Sequence, residues 1–203
     1  MDIYLALVHH PVLNRQGDVV ATAVTNLDIH DLARIARTYD CAAAFVVTPI
    51  HEQIELVRRI ISHWNEGEGR TSNPDRHEAF TRVEVVASLD AVMASIAARH
   101  AGEKPEQVPL VIGTTARKES AMAGYGAIRE RLLREAGPAL ILFGTGWGLA
   151  PDAMQRANVL LAPIEAAPAR RGYNHLPVRA ACAIILDRLL GDHPAMEPKR
   201  ENP

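Results

Sequence analysis

The sequence predicts an α/β protein with a mostly parallel sheet that helices cover on both faces. Two observations predict this fold class. Short apolar runs of strand length alternate with segments in which apolar residues recur every three or four positions. Several of about six such runs are apolar throughout, which is typical of parallel strands buried on both faces. The 203 residues, 48% of them hydrophobic, suffice for one domain with a substantial core.

The first half of the chain begins with a strand and continues with strand–helix units. In the helix at 29–39, apolar residues recur at helical spacing, and Asp28 is the predicted N-cap. The segment 65–75, NEGEGRTSNPD, is rich in turn-forming residues, so we predict a loop and a candidate binding loop. The predicted elements are a strand at 3–9, a turn at 14–18, an extended segment at 19–24, a helix at 29–39, a strand at 42–48, a helix at 51–64, the loop at 65–75, a strand at 83–87 and a helix at 89–99.

The second half repeats the alternation with shorter elements. Gly191 ends the last predicted helix, and the charged tail 192–203 with its three prolines is predicted to be disordered. No internal repeat or linker interrupts 1–191, which we predict to be a single domain. The predicted elements are a polar connection at 102–107, a strand at 110–113, a helix at 125–135, a strand at 140–143, a short helix at 151–156, a strand at 159–162, a loop at 165–174 and a helix at 176–190.

The net charge and the spacing of cysteines and histidines indicate which partners and metal sites to expect. A net charge of −2 gives no overall basic character, so an RNA partner requires a local cluster of arginines and lysines. Cys41 and Cys182 lie in apolar surroundings without metal-ligand spacing, which predicts buried thiols in a reducing compartment. The histidines, including the pair His9–His10, show no metal-ligand spacing either. The N-terminal segment lacks a basic leader, and no apolar run approaches a membrane span, so we predict a cytoplasmic protein.

The segment 140–150, LILFGTGWGLA, is the most informative in the chain. An apolar strand runs into Gly144, Gly146 and Gly148, and alternating glycines let backbone amides approach a ligand closely. A dinucleotide fingerprint requires glycine where Leu149 stands, and a phosphate loop requires a Gly-Lys-Ser/Thr sequence that is absent. Two alternatives stay open here: a nucleotide-dependent oxidoreductase, and glycines that serve backbone geometry alone.

Two further segments favour a ligand site. Residues 112–117, IGTTAR, form another strand end with small polar residues. Residues 173–179, YNHLPVR, open an alanine-rich helix, whose first amides suit a ligand, although Asn174 also suits an N-cap. We expect the strand ends at 113, 144 and 163 to converge on one pocket.

These segments together resemble a known family. LFGTGWGLAPDAM, LLAPI and YNHLPVRAACAIILDRL, with TNLDIHDLARIARTYDC followed by FVVTP, are similar to motifs of the SPOUT superfamily of trefoil-knotted RNA methyltransferases. The match extends from Asp2 to about Gly191 and resembles a stand-alone bacterial subgroup related to the catalytic half of tRNA guanine-N1 methyltransferases. The resemblance implies a C-terminal trefoil knot, S-adenosylmethionine (SAM) as cofactor, tRNA or rRNA as substrate, and a homodimer through the knot.

The resemblance also implies site residues. Arg34 becomes the first catalytic candidate, for positioning the acceptor or a phosphate, and His175 a candidate acid or base. The alternatives are a solvated Arg34 on a polar helix face and a His175 that hydrogen-bonds at the helix start. Trp147 is expected either to stack on a ligand or to pack in the core. The implied cofactor-binding residues are Thr114, Thr115, Ala116, Phe143, Gly144, Thr145, Gly146, Trp147, Gly148, Leu149, Ile164, Tyr173, Asn174, His175 and Leu176. The basic candidates for RNA contact are Arg34, Arg37, Arg70, Arg76, Arg117, Lys118, Arg170 and Arg171.

The chain departs from the family pattern at two positions. Pro177 stands where we expect a serine, and Asp28 rather than asparagine lies six residues before Arg34. Proline removes a backbone N–H but is tolerated in the first turn of a helix. These departures motivate the alternative of a non-catalytic module that binds SAM or RNA on the same fold.

Overall fold

The computed structural model describes residues 1–102, 108–135, 137–170 and 173–192, and it contains strands and helices in alternation. The strands are β1 (Ile3–Val8), β2 (Val12–Leu13), β3 (Val19–Val20), β4 (Ala43–Val47), β5 (Val83–Val86), β6 (Leu110–Gly113), β7 (Ala139–Gly144) and β8 (Val159–Leu160). The helices are α1 (Asn26–Thr38), α2 (His51–Asn65), α3 (Gly69–Ser72), α4 (Pro74–Phe80), α5 (Leu89–Arg99), α6 (Tyr125–Arg134), α7 (Pro151–Met154) and α8 (Val178–Leu190), with a 3₁₀ turn at Pro168–Arg170.

Six strands form one sheet in the order β5-β4-β1-β7-β6-β8. Every pair of neighbours in it is parallel. All six carboxyl ends therefore meet at one edge, where an open α/β sheet binds ligands. The predicted mostly parallel sheet of six strands is confirmed, because strands that are apolar on both faces can only be buried in the middle of such a layered fold.

Alternate residues of β1 show how the two faces are covered. Ile3, Leu5 and Leu7 belong to one core with apolar residues of α1, α6 and α8. Tyr4 and Ala6 belong to the second core, to which α5 and α7 contribute. Helices thus cover both faces, as predicted, since successive residues of a strand point to opposite sides of the sheet.

The start of α1 differs from the prediction. The N-cap is Thr25, not Asp28, and the helix begins at Asn26. Asp28 occupies the third helical position, where its carboxylate accepts hydrogen bonds from the backbone amide and hydroxyl of Thr25 at 3.1 and 2.6 Å. This reciprocal arrangement is a capping box, which moves the helix start one turn upstream of the first apolar residue in the periodic pattern.

The predicted loop at 65–75 is wrong, whereas binding by this segment stays a prediction. The end of α2, the whole of α3 and the first turn of α4 occupy this segment. Asn73 and Pro74, which favour turns, are here the N-cap and first residue of α4. Gly69 is buried so closely against Trp64 that a Cβ would lie 2.7 Å from the indole. Tertiary packing of this kind leaves no periodic signal in such short helices.

A small hairpin interrupts the path from β1 to α1. Asn14 Oδ1 accepts from the amides of Gln16 and Asp18, which forms the predicted turn at 14–18. The strands β2 and β3 pair antiparallel on either side of this turn. The predicted extended segment at 19–24 is therefore strand only at Val19–Val20, and the hairpin brings its first strand against the residues that follow β7.

The remaining predictions divide into confirmed and untested ones. Cys41 and Cys182 are buried and free, as predicted. Most of the polar connection at 102–107, Arg171 and the tail from 193 onwards lie outside the described residues. The division into one domain and a tail stays a prediction, as does the threading of the chain through a knot.

Candidate functional site

Three loops meet at the carboxyl ends of β7, β6 and β8, which are neighbours in the sheet. The first follows β6 at 114–116, the second is the glycine loop at 144–149, and the third precedes α8 at 173–177. Asn174 Nδ2 donates to the carbonyl of Ala116 at 3.0 Å, which joins the first loop to the third. The rings of Trp147 and His175, with centroids 6.1 Å apart, join the second loop to the third. The ends of β6 and β7 and the segment before α8 thus lie close together, whereas a pocket shared by the strand ends at 113, 144 and 163 stays a prediction.

The glycine loop is fixed against the hairpin. Trp147 N donates to Leu13 O, and Leu13 N donates to Gly148 O, both at 2.9 Å. Gly146 has a φ of +59°, and a Cβ on it would lie 2.9 Å from the Leu13 carbonyl. Gly146 therefore meets two requirements, a left-handed backbone and a close approach of two chains, that only glycine meets without strain.

Two amides of this loop have no acceptor among the described residues, and of the two residues Gly146 is exposed and Leu149 is buried. In the described ranges, the backbone N–H groups of Gly146 and Leu149 donate to no protein acceptor, whereas those of Thr145, Trp147 and Gly148 do. A Cβ on Gly144 would lie 2.6 Å from the nitrogen of Leu149, so glycine is needed there for the backbone to fold back. Free amides in a glycine-rich loop match the backbone recognition that the family resemblance implies for SAM.

Aromatic rings form an exposed surface beside the loop. Trp147 is 46% exposed, so the alternative of core packing for this side chain is wrong. Tyr173 is 80% exposed, and its ring centroid lies 5.2 Å from that of His175. Three rings from two loops are thus available for stacking on a planar ligand group.

The other predicted cofactor residues differ in their solvent exposure. Thr114 is half-buried, and both its amide and its hydroxyl donate to Leu142 O, at 3.2 and 2.7 Å, which fixes the end of β6. Thr115 Oγ1 accepts from Arg117 N at 3.0 Å. Phe143 and Leu149 are buried, Ile164 is half-buried against the core, and Leu176 is 45% exposed.

Each of the two catalytic candidates lies near the start of α8. Arg34 is exposed on α1 and lines an open groove of about 480 Å³ whose other wall includes Pro177 and Ala180. His175 precedes Pro177 by two residues and is also exposed. Arg34 forms no ion pair with any residue that the structure describes, so its guanidinium is available for a substrate group.

Sequence reasoning missed Arg179, which attaches α8 to α1. Its Nη1 lies 3.0 Å from Asp28 Oδ1, and its Nε lies 2.9 Å from Asp31 Oδ2. The pattern Thr25-x-x-Asp28 resembles a capping box and was a usable signal for the carboxylate. No local signal identifies its partner, because Arg179 lies 151 positions away. Pro177 is the N-cap of α8 and provides no side-chain cap.

The predicted basic residues do not form one free cluster. Arg37 is paired with Glu78 at 2.6 Å, and Arg76 lies over the Trp64 ring with its carbon 5.2 Å from the centroid. Lys118 lies 3.0 Å from Glu165, and this pair joins the segment after β6 to the segment after β8. The predicted basic residues that are exposed are Arg34, Arg70, Arg117 and Arg170.

Neither a membrane-spanning helix nor a metal-binding cluster occurs among the described residues. None of its helices combines the length and the apolar character needed to cross a membrane. No three His, Cys, Asp or Glu side chains of the described ranges are grouped so that they could hold a metal ion.

Comparison with known proteins identifies the family. The family described as SAM-dependent RNA methyltransferase matches residues 2–191. A tRNA (guanine-N(1)-)-methyltransferase of Nitratidesulfovibrio vulgaris is 44% identical over 191 residues, which are 94% of this chain and 42% of that protein. An uncharacterized protein of Aquifex aeolicus is 37% identical over 93% of this chain and 88% of its own. The chain thus spans about two fifths of the length of the relative that carries an enzyme name.

A solved structure supports the fold. The SpoU methyltransferase AviRb from Streptomyces viridochromogenes superposes with a TM-score of 0.57 at 16% identity, over 93% of this chain and 58% of that one. Likeness at this identity supports the SPOUT fold, and the match over 2–191 confirms the resemblance that the motifs indicated. The chain belongs to the family of SAM-dependent RNA methyltransferases.

Proposed function

We propose that this protein transfers a methyl group from SAM to a nucleotide of tRNA or rRNA. The observation that carries the proposal is the junction of the three loops, through Asn174 with Ala116 and through Trp147 with His175, at the carboxyl ends of β6, β7 and β8. Family membership supports the cofactor and the class of substrate. The Nitratidesulfovibrio vulgaris relative points to tRNA, but the chain spans only about two fifths of that relative, so the nucleotide and atom are left to the experiment.

The residues present fit SAM. Gly146 and Leu149 offer free amides, and Trp147 offers an exposed ring for an adenine. Asn174 holds the third loop against the first, which closes the site on that side. Bound SAM would supply a methyl group activated on a sulfonium. The protein then has to align the acceptor in line with that methyl group, since orientation alone lowers such barriers by several kcal/mol, of the order of 7–11.

Arg34 and His175 have different roles toward the methyl acceptor: Arg34 positions it and His175 takes up its proton. The guanidinium of Arg34 binds a phosphate or the acceptor itself, because it is exposed and unpaired within the described structure. Arginine does not act as the base, because a guanidinium keeps its proton in proteins. The exposed imidazole of His175 accepts the proton that an acceptor nitrogen or hydroxyl loses.

We also propose the knot and the homodimer that the family resemblance implies. The groove between α1 and α8 is lined by apolar Ile35, Pro177 and Ala183 next to Arg34, a surface suited to a second copy of the chain. In such a dimer the acceptor site lies between subunits. Light scattering in solution tests the assembly, and a monomeric protein at micromolar concentration would contradict it. An RNA substrate further points to a cytoplasmic protein.

Calorimetry with SAM and its demethylated product tests the cofactor site, and the absence of binding at millimolar concentration would overturn it. Incubation of the protein with labelled SAM and total RNA tests the reaction. Mass spectrometry of nucleosides from a deletion strain then identifies the methylated nucleotide.

SAM binding without RNA methylation would favour the non-catalytic module, which Pro177 and Asp28 motivate. A rise in melting temperature with NAD(H) but not with SAM would favour the oxidoreductase.

A further inference from the structure

We propose that His9 is a positioning residue for the cofactor site, which acts through Thr22 on Thr145 and so maintains the shape of the glycine loop. This inference rests on the proposed function, because that loop is the proposed SAM site. His9 and Thr22 lie outside the three loops of the site and come from the connection between β1 and α1.

The contacts form a continuous chain of hydrogen bonds. His9 follows β1 and is only 1% exposed, and its amide donates to Val47 O at 2.9 Å. His9 Nδ1 lies 3.0 Å from Thr22 Oγ1, which lies 2.5 Å from Thr145 Oγ1. Thr22 N also donates to His9 O at 2.9 Å, so the two residues are held together by main chain and side chain alike.

The direction of each hydrogen bond follows from the number of protons. Thr145 Oγ1 donates to the Val8 carbonyl at 3.0 Å, and a hydroxyl has one proton, so it accepts from Thr22. The Thr22 hydroxyl has two possible acceptors. Thr145 Oγ1 is 2.5 Å away, whereas the carbonyl oxygen of His9 is 3.5 Å away, at the outer limit of a hydrogen bond. Thr22 therefore accepts from His9, whose Nδ1 carries the proton.

The second nitrogen of the ring agrees with this tautomer. Nε2 of His9 is buried and has no hydrogen-bond partner in the part of the chain that the structure describes. A buried nitrogen without an acceptor is better left unprotonated than carrying an N–H. Burial lowers the pKa of His9, although the nearby Asp28 carboxylate and the Ala23 backbone oppose this shift. A neutral ring with its proton on Nδ1 satisfies both observations.

The end of this chain of hydrogen bonds determines the course of the glycine loop. Thr145 is fixed to Val8 O by its amide at 3.1 Å as well as by its hydroxyl. Trp147, two residues on, is fixed to Leu13. The free amide of Gly146 is thereby held between two anchored residues. A loop that is ordered before binding does not have to be ordered by the ligand, which strengthens affinity.

Substitutions that remove side-chain hydrogen bonds test the inference: Thr22→Val removes the bonds to His9 and Thr145, and His9→Leu removes the bond to Thr22. Thr22→Val and His9→Leu are expected to raise the Kd for SAM about five- to tenfold. His9→Asn is close in size to His9→Leu but retains a donor near the Nδ1 position, so it should bind SAM within about twofold of the wild type. Thr81→Val is the matched control, because it loses a hydrogen bond of 2.7 Å to Glu78 O at the end of α4, on the opposite face of the sheet from the hairpin.

Hydrogen exchange in the ligand-free protein gives a second readout that needs no SAM. The amides of Trp147 and Gly148 should exchange about tenfold faster in Thr22→Val and His9→Leu than in His9→Asn and Thr81→Val. If the wild type binds no SAM, the proposed function fails, and exchange still decides the role of His9. Unchanged exchange and unchanged affinity in Thr22→Val, or equal losses in His9→Asn and His9→Leu, would overturn the inference.

Discussion

Arg179 Nη1 donates to the Asp28 carboxylate at 3.0 Å, and this contact attaches the first turn of α8 to the first turn of α1. The Asp28 side chain is 9% exposed and that of Arg179 is 30% exposed, so the pair is largely shielded from water. Because α8 follows the third loop of the site directly, the pair also determines where that loop ends.

Removal of Arg179 should destabilise the protein. Arg179→Ala leaves the buried Asp28 carboxylate without its cation, and we expect a loss of about 2–3 kcal/mol in the free energy of unfolding. Urea unfolding measures this loss. The control is Arg156→Ala, which breaks an exposed pair with Asp90 and should change the free energy of unfolding much less than Arg179→Ala does. Equal losses in the two variants would contradict the structural role of Arg179.

Gly146 should not tolerate a side chain. Gly146→Ala places a Cβ 2.9 Å from Leu13 O on a backbone with a φ of +59°, so we expect about 1–2 kcal/mol of strain and at least about tenfold weaker SAM binding. Calorimetry and thermal unfolding measure the two effects. Gly126→Ala is the control, since a Cβ there meets no atom within 4 Å and lies in α6, where alanine favours the helix. A destabilised Gly126→Ala with a normal Gly146→Ala would refute the assignment.

Arg34 should matter for the reaction and not for the fold. Because it is exposed and forms no ion pair in the described ranges, Arg34→Ala is expected to leave the melting temperature unchanged. We expect its kcat for RNA methylation to fall about 100-fold and its Kd for SAM to stay constant. Arg34→Lys should restore only part of the rate, since lysine lacks the planar fork. The exposed Arg59 of α2 provides the control, and full activity of Arg34→Ala would exclude this role.

Stability should decrease below neutral pH. Burial lowers the pKa of His9 from 6.5, so the unfolded chain takes up a proton at a higher pH than the folded protein does. The contribution of His9 is therefore fully present above 6.5 and is lost as the pH falls from there through the lower folded pKa. Burial and the neighbouring Arg76 lower the pKa of His30 in the same direction. Urea unfolding between about pH 5 and 8 should give a smaller acid loss for His9→Asn than for the wild type.

The thiols should be inert in the folded protein. Burial raises the pKa of Cys41 to about 12, and burial raises the pKa of Cys182 as well. Since the thiolate is the reactive form, a dinitrobenzoate thiol reagent should modify neither cysteine at about pH 8 without denaturant. Both should react in guanidinium. Rapid modification of the native protein would show that this core opens readily.

Local patterns predicted the elements whose signal lies within one segment. The helix at 89–99 and the strand at 110–113 were predicted with the bounds that the structure shows. The segment 65–75 was not, because α3 packs against Trp64 through Gly69 and α4 is capped by Asn73, and neither contact gives a periodic signal. Asp28 was placed at the right helix but in the wrong capping role, since its hydrogen bonds run back to Thr25.

The sequence by itself determined the family, the parallel α/β fold and the three loops that make up the candidate site. Motifs and apolar runs consist of residues that are close in sequence, so they can be recognised without the structure. Only the tertiary structure decided what holds those loops in place. The contacts of Arg179 with Asp28 and of Thr22 with Thr145 join residues 151 and 123 positions apart. Such contacts depend on the order of the strands in the sheet and on the burial of each group. Neither can be predicted from the residues of one segment alone.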